Sequence, residues 1–167
     1  MRAAIVAGIV VLAAPLAAQL GVRPPVALAP AASDKHLAIA TSNSTAVVKP
    51  GAVVSLFIDV VPNRGIHVYA PGATDYRPIT VKLDPDAHVT AGRLIYPKSE
   101  ILLFEPLGER VPTYQKPFRL TQDVTIARSA KPGTKILLGG TVSYQACDDK
   151  VCFVPASVPV SWTVDVK

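Results

Sequence analysis

Cys147 and Cys152 are the residues of this 167-residue chain best suited to chemistry, and they are its only cysteines. Four residues separate them, within the segment Tyr144-Gln145-Ala146-Cys147-Asp148-Asp149-Lys150-Val151-Cys152-Phe153-Val154-Pro155. A disulfide across so short a loop restricts little of the unfolded chain, and loop entropy makes it worth about 2 kcal/mol. A structural bridge gains more by joining distant segments, so this pair is better suited to thiol–disulfide exchange.

Two other uses of the cysteines remain open from the residues alone. In the first, the chain is an exported β-sandwich that binds another protein, and its short-loop disulfide is purely structural. In the second, the thiolates join His36, His67 or His88 in a zinc or copper site, although these histidines do not cluster in the sequence. We expect no metal, because the histidines do not cluster, and no cofactor, because the chain lacks a glycine-rich phosphate loop. It also lacks the serine nucleophile elbow of a hydrolase.

The amino terminus predicts export. A basic start at Arg2 and an apolar run over residues 5–16, followed by small residues, are typical of a secretory signal peptide. We therefore divide the chain into a signal peptide with an Ala/Pro-rich linker, residues 1–32, and one domain, residues 33–167. The alternative is an uncleaved membrane anchor over residues 3–22, a stretch nearly long enough to span a bilayer.

Composition excludes some classes of partner. The formal net charge is +5, but the basic residues neither cluster nor alternate with aromatic residues. Nucleic-acid binding needs such clustering, so we expect no nucleic-acid partner. Contact with a membrane is expected only if the amino-terminal segment stays uncleaved.

Hydrophobic residues alternate with polar ones along several segments, which is the pattern of half-buried strands. The clearest case is residues 157–167, where Pro159 indicates an edge strand or an outward-facing amide. Further strand candidates rich in β-branched residues are 53–60, 79–83, 118–126 and 135–144. Sixteen prolines and ten glycines leave no stretch for a long amphipathic helix. These features predict an all-β sandwich of about seven to nine strands.

The cysteines are expected on one hairpin of this sandwich. Its first strand would run over residues 135–147, its turn would be Asp148-Asp149-Lys150, and Cys152 would enter the last strand. The inter-sheet bridge of immunoglobulin domains is excluded, because its two cysteines lie far apart in the sequence.

The cysteine segment, followed by Val158-Pro159-Val160-Ser161-Trp162, resembles the amino-terminal periplasmic domain of the transmembrane disulfide reductase DsbD. The resemblance extends to Gly65-Ile66-His67-Val68-Tyr69 and to residues 97–114, and it covers most of residues 50–166. It implies an immunoglobulin-like fold with a redox pair on one hairpin. It also implies a periplasmic protein-disulfide reductase type of activity, in which electrons come from a membrane domain and pass to thioredoxin-like proteins.

The same resemblance assigns roles to individual residues. Cys152 would form the mixed disulfide with thioredoxin-like partners, and Cys147 would resolve it. Since this chain shows no transmembrane reductase region, we expect its electron donor to be a separate membrane protein. The residues expected to pack beside the pair are Tyr69, Tyr144, Phe153 and Pro155. His67 is expected to be a strand residue rather than an acid–base group.

The chain departs from the best-known family members at two places. They have five residues between the cysteines, whereas this chain has four. Their loop that caps the cysteines carries an acidic pair followed by Phe, and our alignment places Phe104-Glu105-Pro106-Leu107 there. Glu105 and Phe104 are therefore the candidates for a proton relay or a cap.

Overall fold

The computed structural model describes residues 32–33, 35–104 and 108–167, where strands are joined by turns and loops. In chain order the strands are β1 (Ala32–Ser33), β2 (Leu37–Asn43), β3 (Val47–Val48), β4 (Val53–Pro62), β5 (His67–Tyr69), β6 (Thr80–Leu83), β7 (Val89–Ile95), β8 (Glu100–Phe104), β9 (Glu109–Tyr114), β10 (Phe118–Ile126), β11 (Lys135–Tyr144), β12 (Ala146–Cys147) and β13 (Ala156–Val166). Nine of these have four residues or more, at the upper end of the predicted seven to nine. The prediction of an all-β fold is confirmed.

Two sheets form the sandwich. The first has the strand order β1-β2-β4-β10-β7 and is antiparallel throughout, and the second has the order β3-β13-β11-β6, in which only β3 and β13 are parallel. Buried apolar side chains of β2, β4 and β10 meet those of β11 and β13 in one core. Across that core the indole of Trp162 donates a hydrogen bond of 3.2 Å to the carbonyl oxygen of Phe57. This architecture is the immunoglobulin-like β-sandwich that the resemblance implied.

Strand β13 confirms the strand that the alternating pattern predicts near the carboxyl end. Its valines and Trp162 are buried at every second position, as the sequence predicts. Pro159 pairs with Thr141 of β11 on one side, and β3 reaches β13 only at Asp165 and Val166. In the described part of the chain β13 therefore has no strand neighbour beside Pro159 on the other side, as expected for a residue without an amide hydrogen.

A third, smaller sheet carries the cysteines. Its antiparallel order is β12-β5-β9-β8, and it gathers short strands that follow the long strands of the sandwich. The chain enters β5 from β4 through a tight turn in which the Ile66 amide donates to the Asn63 carbonyl at 2.9 Å. Gly65 takes the left-handed conformation there (φ 78°), which glycine adopts without steric cost. The turn places β5 between β12 and β9.

The described residues include no helix long and apolar enough to cross a membrane. The predicted signal peptide and linker, and the alternative anchor over residues 3–22, lie outside the described residues, apart from β1 at the linker's end.

Candidate functional site

The two cysteines form a disulfide whose halves differ in exposure. Their Cα atoms lie 4.0 Å apart, and the two residues face each other in an isolated antiparallel bridge. Cys147, on β12, is only 1% exposed, because it pairs with His67 of β5. Cys152 lies in the loop before β13 and is exposed. A partner molecule therefore has direct access to the sulfur of Cys152, while that of Cys147 lies beneath it.

The turn between the cysteines is held by Asp148. Its amide donates to the Val151 carbonyl at 3.0 Å, and its carboxylate accepts the amides of Val151 at 2.7 Å and Lys150 at 2.8 Å. The bond from the Val151 amide, followed by that from the Lys150 amide, lowers the pKa of the Asp148 carboxyl group. Asp148 therefore stays ionised and serves as the internal brace of the turn.

The cysteine hairpin is offset from the strands that lead to it. Tyr144 pairs with Ala156 across β11 and β13, but Cys147 pairs with Cys152, so residues 145–146 face residues 153–155. The extra residue on the return side is an irregularity of the β-bulge kind, which redirects a strand. The expected strand over residues 135–147 is thus interrupted: β11 ends at Tyr144, and β12 joins the third sheet.

Phe153 and Pro155 secure this return segment. The Phe153 amide donates to the Ala146 carbonyl at 2.8 Å, and the Phe153 ring stacks on His36 with centroids 4.0 Å apart. Pro155 is exposed and lies in the offset, where its missing amide hydrogen suits an unpaired position. Neither residue lines the pocket at the sulfurs.

Tyr69 is the side chain that contacts both sulfurs. It lies on β5 and is only 4% exposed, and its hydroxyl oxygen is 3.2 Å from Sγ of Cys147 and 3.4 Å from Sγ of Cys152. Burial, with smaller contributions from Tyr76 and Glu109, raises the pKa of Tyr69 to about 12. The phenol therefore keeps its proton at neutral pH and can donate a hydrogen bond to a thiolate formed beside it.

His67 lies two residues before Tyr69 and also reaches the pocket. It is only 8% exposed, and its ring meets that of Tyr69 edge-on with centroids 5.5 Å apart. Burial lowers the pKa of His67, and the nearby carboxylate of Asp148 opposes this effect. The imidazole is therefore mainly neutral at pH 7, in a packed strand position of the kind expected for it.

Tyr76 and Glu109 join the site although sequence reasoning gave them no role. The Tyr76 ring stacks on Tyr69 with centroids 4.1 Å apart and an interplanar angle of 15°, and its hydroxyl donates to Oε2 of Glu109 at 2.9 Å. The signal available in the sequence was weak: Tyr76 is a lone aromatic residue in the turn-rich loop between β5 and β6. Binding and catalytic residues lie on loops disproportionately often.

The β8–β9 hairpin closes one side of the site. Leu102 and Phe104 of β8 and Val111 of β9 line a pocket of about 80 Å³ together with the two cysteines, Tyr69 and Tyr76. The structure thus brings Phe104 to the pair, whereas Glu105 lies outside the described residues.

Tyr144 is not brought to the pocket. It ends β11, is 2% exposed and packs within the main core of the sandwich.

The metal alternative requires several ligating side chains that lie close together. The described residues contain no group of three or more His, Cys, Asp or Glu side chains placed to hold a metal ion.

Reduction of the disulfide is expected to leave the fold intact. The bridge closes a short loop and is worth about 2 kcal/mol, which is a fraction of the usual 5–15 kcal/mol of a domain. The main core of the sandwich includes neither cysteine. Thermal melts followed by circular dichroism, with and without reductant, should differ by roughly 10 °C or less. A double variant Cys147→Ala/Cys152→Ala should melt like the reduced protein. Loss of the β-sheet spectrum on reduction would instead identify a structural bridge.

Two solved structures of amino-terminal domains align with this chain. The chain is similar to the N-terminal periplasmic domain of ScsB from Proteus mirabilis, with 12% sequence identity, a TM-score of 0.56, and coverage of 84% of this chain and 52% of that one. The chain therefore spans about half the length of that structure. The reduced DsbD n-terminal domain from Neisseria meningitidis aligns with 19% identity and a TM-score of 0.44, over 72% of this chain and 82% of its own.

Sequence comparison identifies the family. No curated protein sequence matches the chain significantly. The family described as "Thiol:disulfide interchange protein DsbD, N-terminal" matches residues 37–161, which include β2 to β12, the first part of β13 and the cysteine hairpin. Because this match covers most of the chain, the protein belongs to the DsbD N-terminal domain family.

Proposed function

We propose that this chain is a periplasmic thiol–disulfide exchange protein that passes reducing equivalents through Cys147 and Cys152, to or from thioredoxin-like partners. The observation that carries this proposal is the unequal exposure of the two sulfurs in a short-loop disulfide: Cys152 is exposed and Cys147 is 1% exposed. Exchange needs one sulfur that a partner can reach and a second one held ready behind it.

The unequal exposure supports an order for the two steps. In the reduced protein the Cys152 thiolate attacks a partner disulfide, forms a mixed disulfide and releases one partner sulfur as a thiolate. Cys147 then attacks Sγ of Cys152, which closes the internal disulfide and releases the second partner sulfur. Two electrons thereby move from this protein to its partner, and the reverse sequence reloads the pair from a donor.

Several surface features suit a protein partner. Val151 and Val154, on either side of Cys152, are 53% and 86% exposed, so they offer aliphatic contacts beside the reactive sulfur. Phe104 also lines the pocket and would cap the pair between encounters, and Glu105, the next residue in the sequence, stays the candidate relay. Membership of the family supports thioredoxin-like proteins as partners and a separate membrane protein as electron donor.

The periplasm is the compartment that this chemistry suits. The ScsB domain with a similar fold is periplasmic, and the predicted signal peptide within residues 1–32 would direct export. In that compartment a pair that must cycle between states needs a dedicated electron donor, because the surroundings are oxidising.

The reduction potential of the pair tests the proposal. We expect a value in the range of exchange proteins, between about −120 and −270 mV. The protein is equilibrated with glutathione or dithiothreitol redox buffers, and the free thiols are counted by alkylation. A potential below about −300 mV would mark a stable structural bridge and would favour the binding-module alternative.

A further inference from the structure

A row of hydroxyl groups leads from the buried sulfur to a carboxylate. Tyr69 Oη lies 3.2 Å from Sγ of Cys147, the side chains of Tyr69 and Tyr76 share a hydrogen bond, and Tyr76 Oη donates to Oε2 of Glu109 at 2.9 Å. Tyr69 and Cys147 are almost fully buried, whereas Tyr76 and Glu109 are half-buried. The row therefore runs from the interior of the site to its solvent edge.

The resolving thiol needs such a path. Cys147 must lose its proton before it can attack, since the thiolate is the nucleophile. Its 1% exposure leaves little direct contact with water, and the Tyr69 hydroxyl lies within hydrogen-bonding distance of its sulfur. Each hydroxyl in the row can accept a proton from one neighbour while donating its own to the next, and the carboxylate at the end can only accept.

We propose that Tyr76 and Glu109 carry the proton of the Cys147 thiol out of the site through Tyr69. This inference rests on the exchange function proposed above and adds the residues that complete its second step. The thiol proton moves to Tyr69 Oη, the Tyr69 proton to Tyr76 Oη, and the Tyr76 proton to Glu109, which releases it to solvent. The thiolate left on Cys147 forms the bond to Sγ of Cys152 and breaks the mixed disulfide, so the partner sulfur leaves as a thiolate with the bonding electron pair.

A purely electrostatic role for Glu109 predicts the opposite result. Its negative charge disfavours a thiolate nearby, so neutralising it would lower the thiol pKa and speed the attack. If Glu109 is the terminal proton acceptor, neutralising it must slow the attack. Glu109→Gln separates the two roles, because the amide oxygen can still accept the Tyr76 hydrogen bond but cannot take up the proton.

The test is stopped-flow reaction of the reduced protein with Ellman's reagent. Attack by Cys152 releases the first thionitrobenzoate, and the internal attack by Cys147 releases the second, so the second phase reports the resolving step alone. Glu109→Gln and Tyr76→Phe are expected to slow this second phase by about tenfold or more. The lower limit is smaller than the usual effect of removing a general acid or base, because water can partly take over from the missing group. The first phase should be unchanged, and added imidazole should restore the second.

Two variants serve as matched controls. Glu100→Gln removes a carboxylate that lies on the same β8–β9 hairpin and forms a surface ion pair with Lys116. Tyr96→Phe removes a hydroxyl outside the pocket. Both should react like the wild-type protein, and circular dichroism confirms the fold of each variant.

The outcomes separate this inference from the function it rests on. A second phase that is unchanged or faster in Glu109→Gln, while the wild-type protein shows both phases, overturns the relay and leaves exchange intact. A slow second phase in His67→Gln but not in Glu109→Gln or Tyr76→Phe also overturns it, because the proton would then leave through the imidazole. A wild-type protein without any second phase contradicts the exchange function itself.

Discussion

A Cys147→Ala variant is expected to accumulate a persistent mixed disulfide through Cys152, whereas a Cys152→Ala variant accumulates little. The exposed sulfur meets the partner first, and the mixed disulfide persists when the buried resolving thiol is absent. In Cys152→Ala the remaining thiol is 1% exposed, so a folded partner has little access to it. The expected difference is close to all-or-none, the largest that the site predicts.

The experiment uses a thioredoxin-like protein that keeps only its exposed cysteine, activated with thionitrobenzoate. Such a partner cannot resolve the complex itself, so its fate depends on this protein alone. Non-reducing electrophoresis should show a stable complex for Cys147→Ala and free partner for the wild-type protein. Both variants lack the disulfide, which controls for the loss of the bridge. Equal complex formation by the two variants would contradict the role assignment, and failure of both folded variants to react would favour the binding-module alternative.

The long strands of the sandwich were predictable because their side-chain pattern is local. The predicted segments 118–126 and 135–144 coincide with β10 and β11, and residues 157–167 coincide with β13 to within one residue. Each has one face in the core and one towards solvent, so burial alternates with a period of two.

The third sheet was not predictable in the same way. All three residues of β5 are buried, and β12 has only two residues, so neither strand shows an alternating pattern. They are strands because they pair with each other, Ala146 with Val68 and Cys147 with His67, across a long sequence separation. The one-residue offset after Tyr144, which redirects the hairpin, likewise depends on tertiary pairing rather than local preference.

The residues of the candidate site also differ in whether they could be predicted from the sequence. The cysteines, Tyr69 and Phe104 could be found from residue types and family resemblance, because they lie in or next to recognisable segments. Tyr76 and Glu109 could not, since Tyr76 enters the site by stacking on Tyr69, and Glu109 by a hydrogen bond from Tyr76 across a sequence separation of 33. Tyr144 shows the converse: it is close to Cys147 in sequence, but it belongs to the core of the sandwich.

Tyr69→Phe is expected to raise the pKa of the cysteine thiols by roughly one to two units. A hydrogen bond to a charged group stabilises it by about 1.5–3 kcal/mol, and the Tyr69 hydroxyl is placed to donate one to a thiolate at either sulfur. The thiolate population at neutral pH should therefore fall by about 10- to 100-fold, more strongly at Cys147, whose sulfur is nearer and more buried. The phenylalanine ring keeps the stacking with Tyr76, so packing changes little.

Single-cysteine proteins make this shift measurable for each thiol. Tyr69→Phe is combined with Cys147→Ala or with Cys152→Ala, and the ultraviolet absorbance of the thiolate is followed as a function of pH. Tyr96→Phe in the same backgrounds controls for the loss of a tyrosine, because Tyr96 does not line the pocket. An unchanged thiol pKa in both Tyr69→Phe proteins would mean that the hydroxyl only fills space beside the disulfide. A shift confined to Cys147 would mean that the hydroxyl turns towards the buried sulfur once the pair is reduced, which is the orientation that the proton path requires.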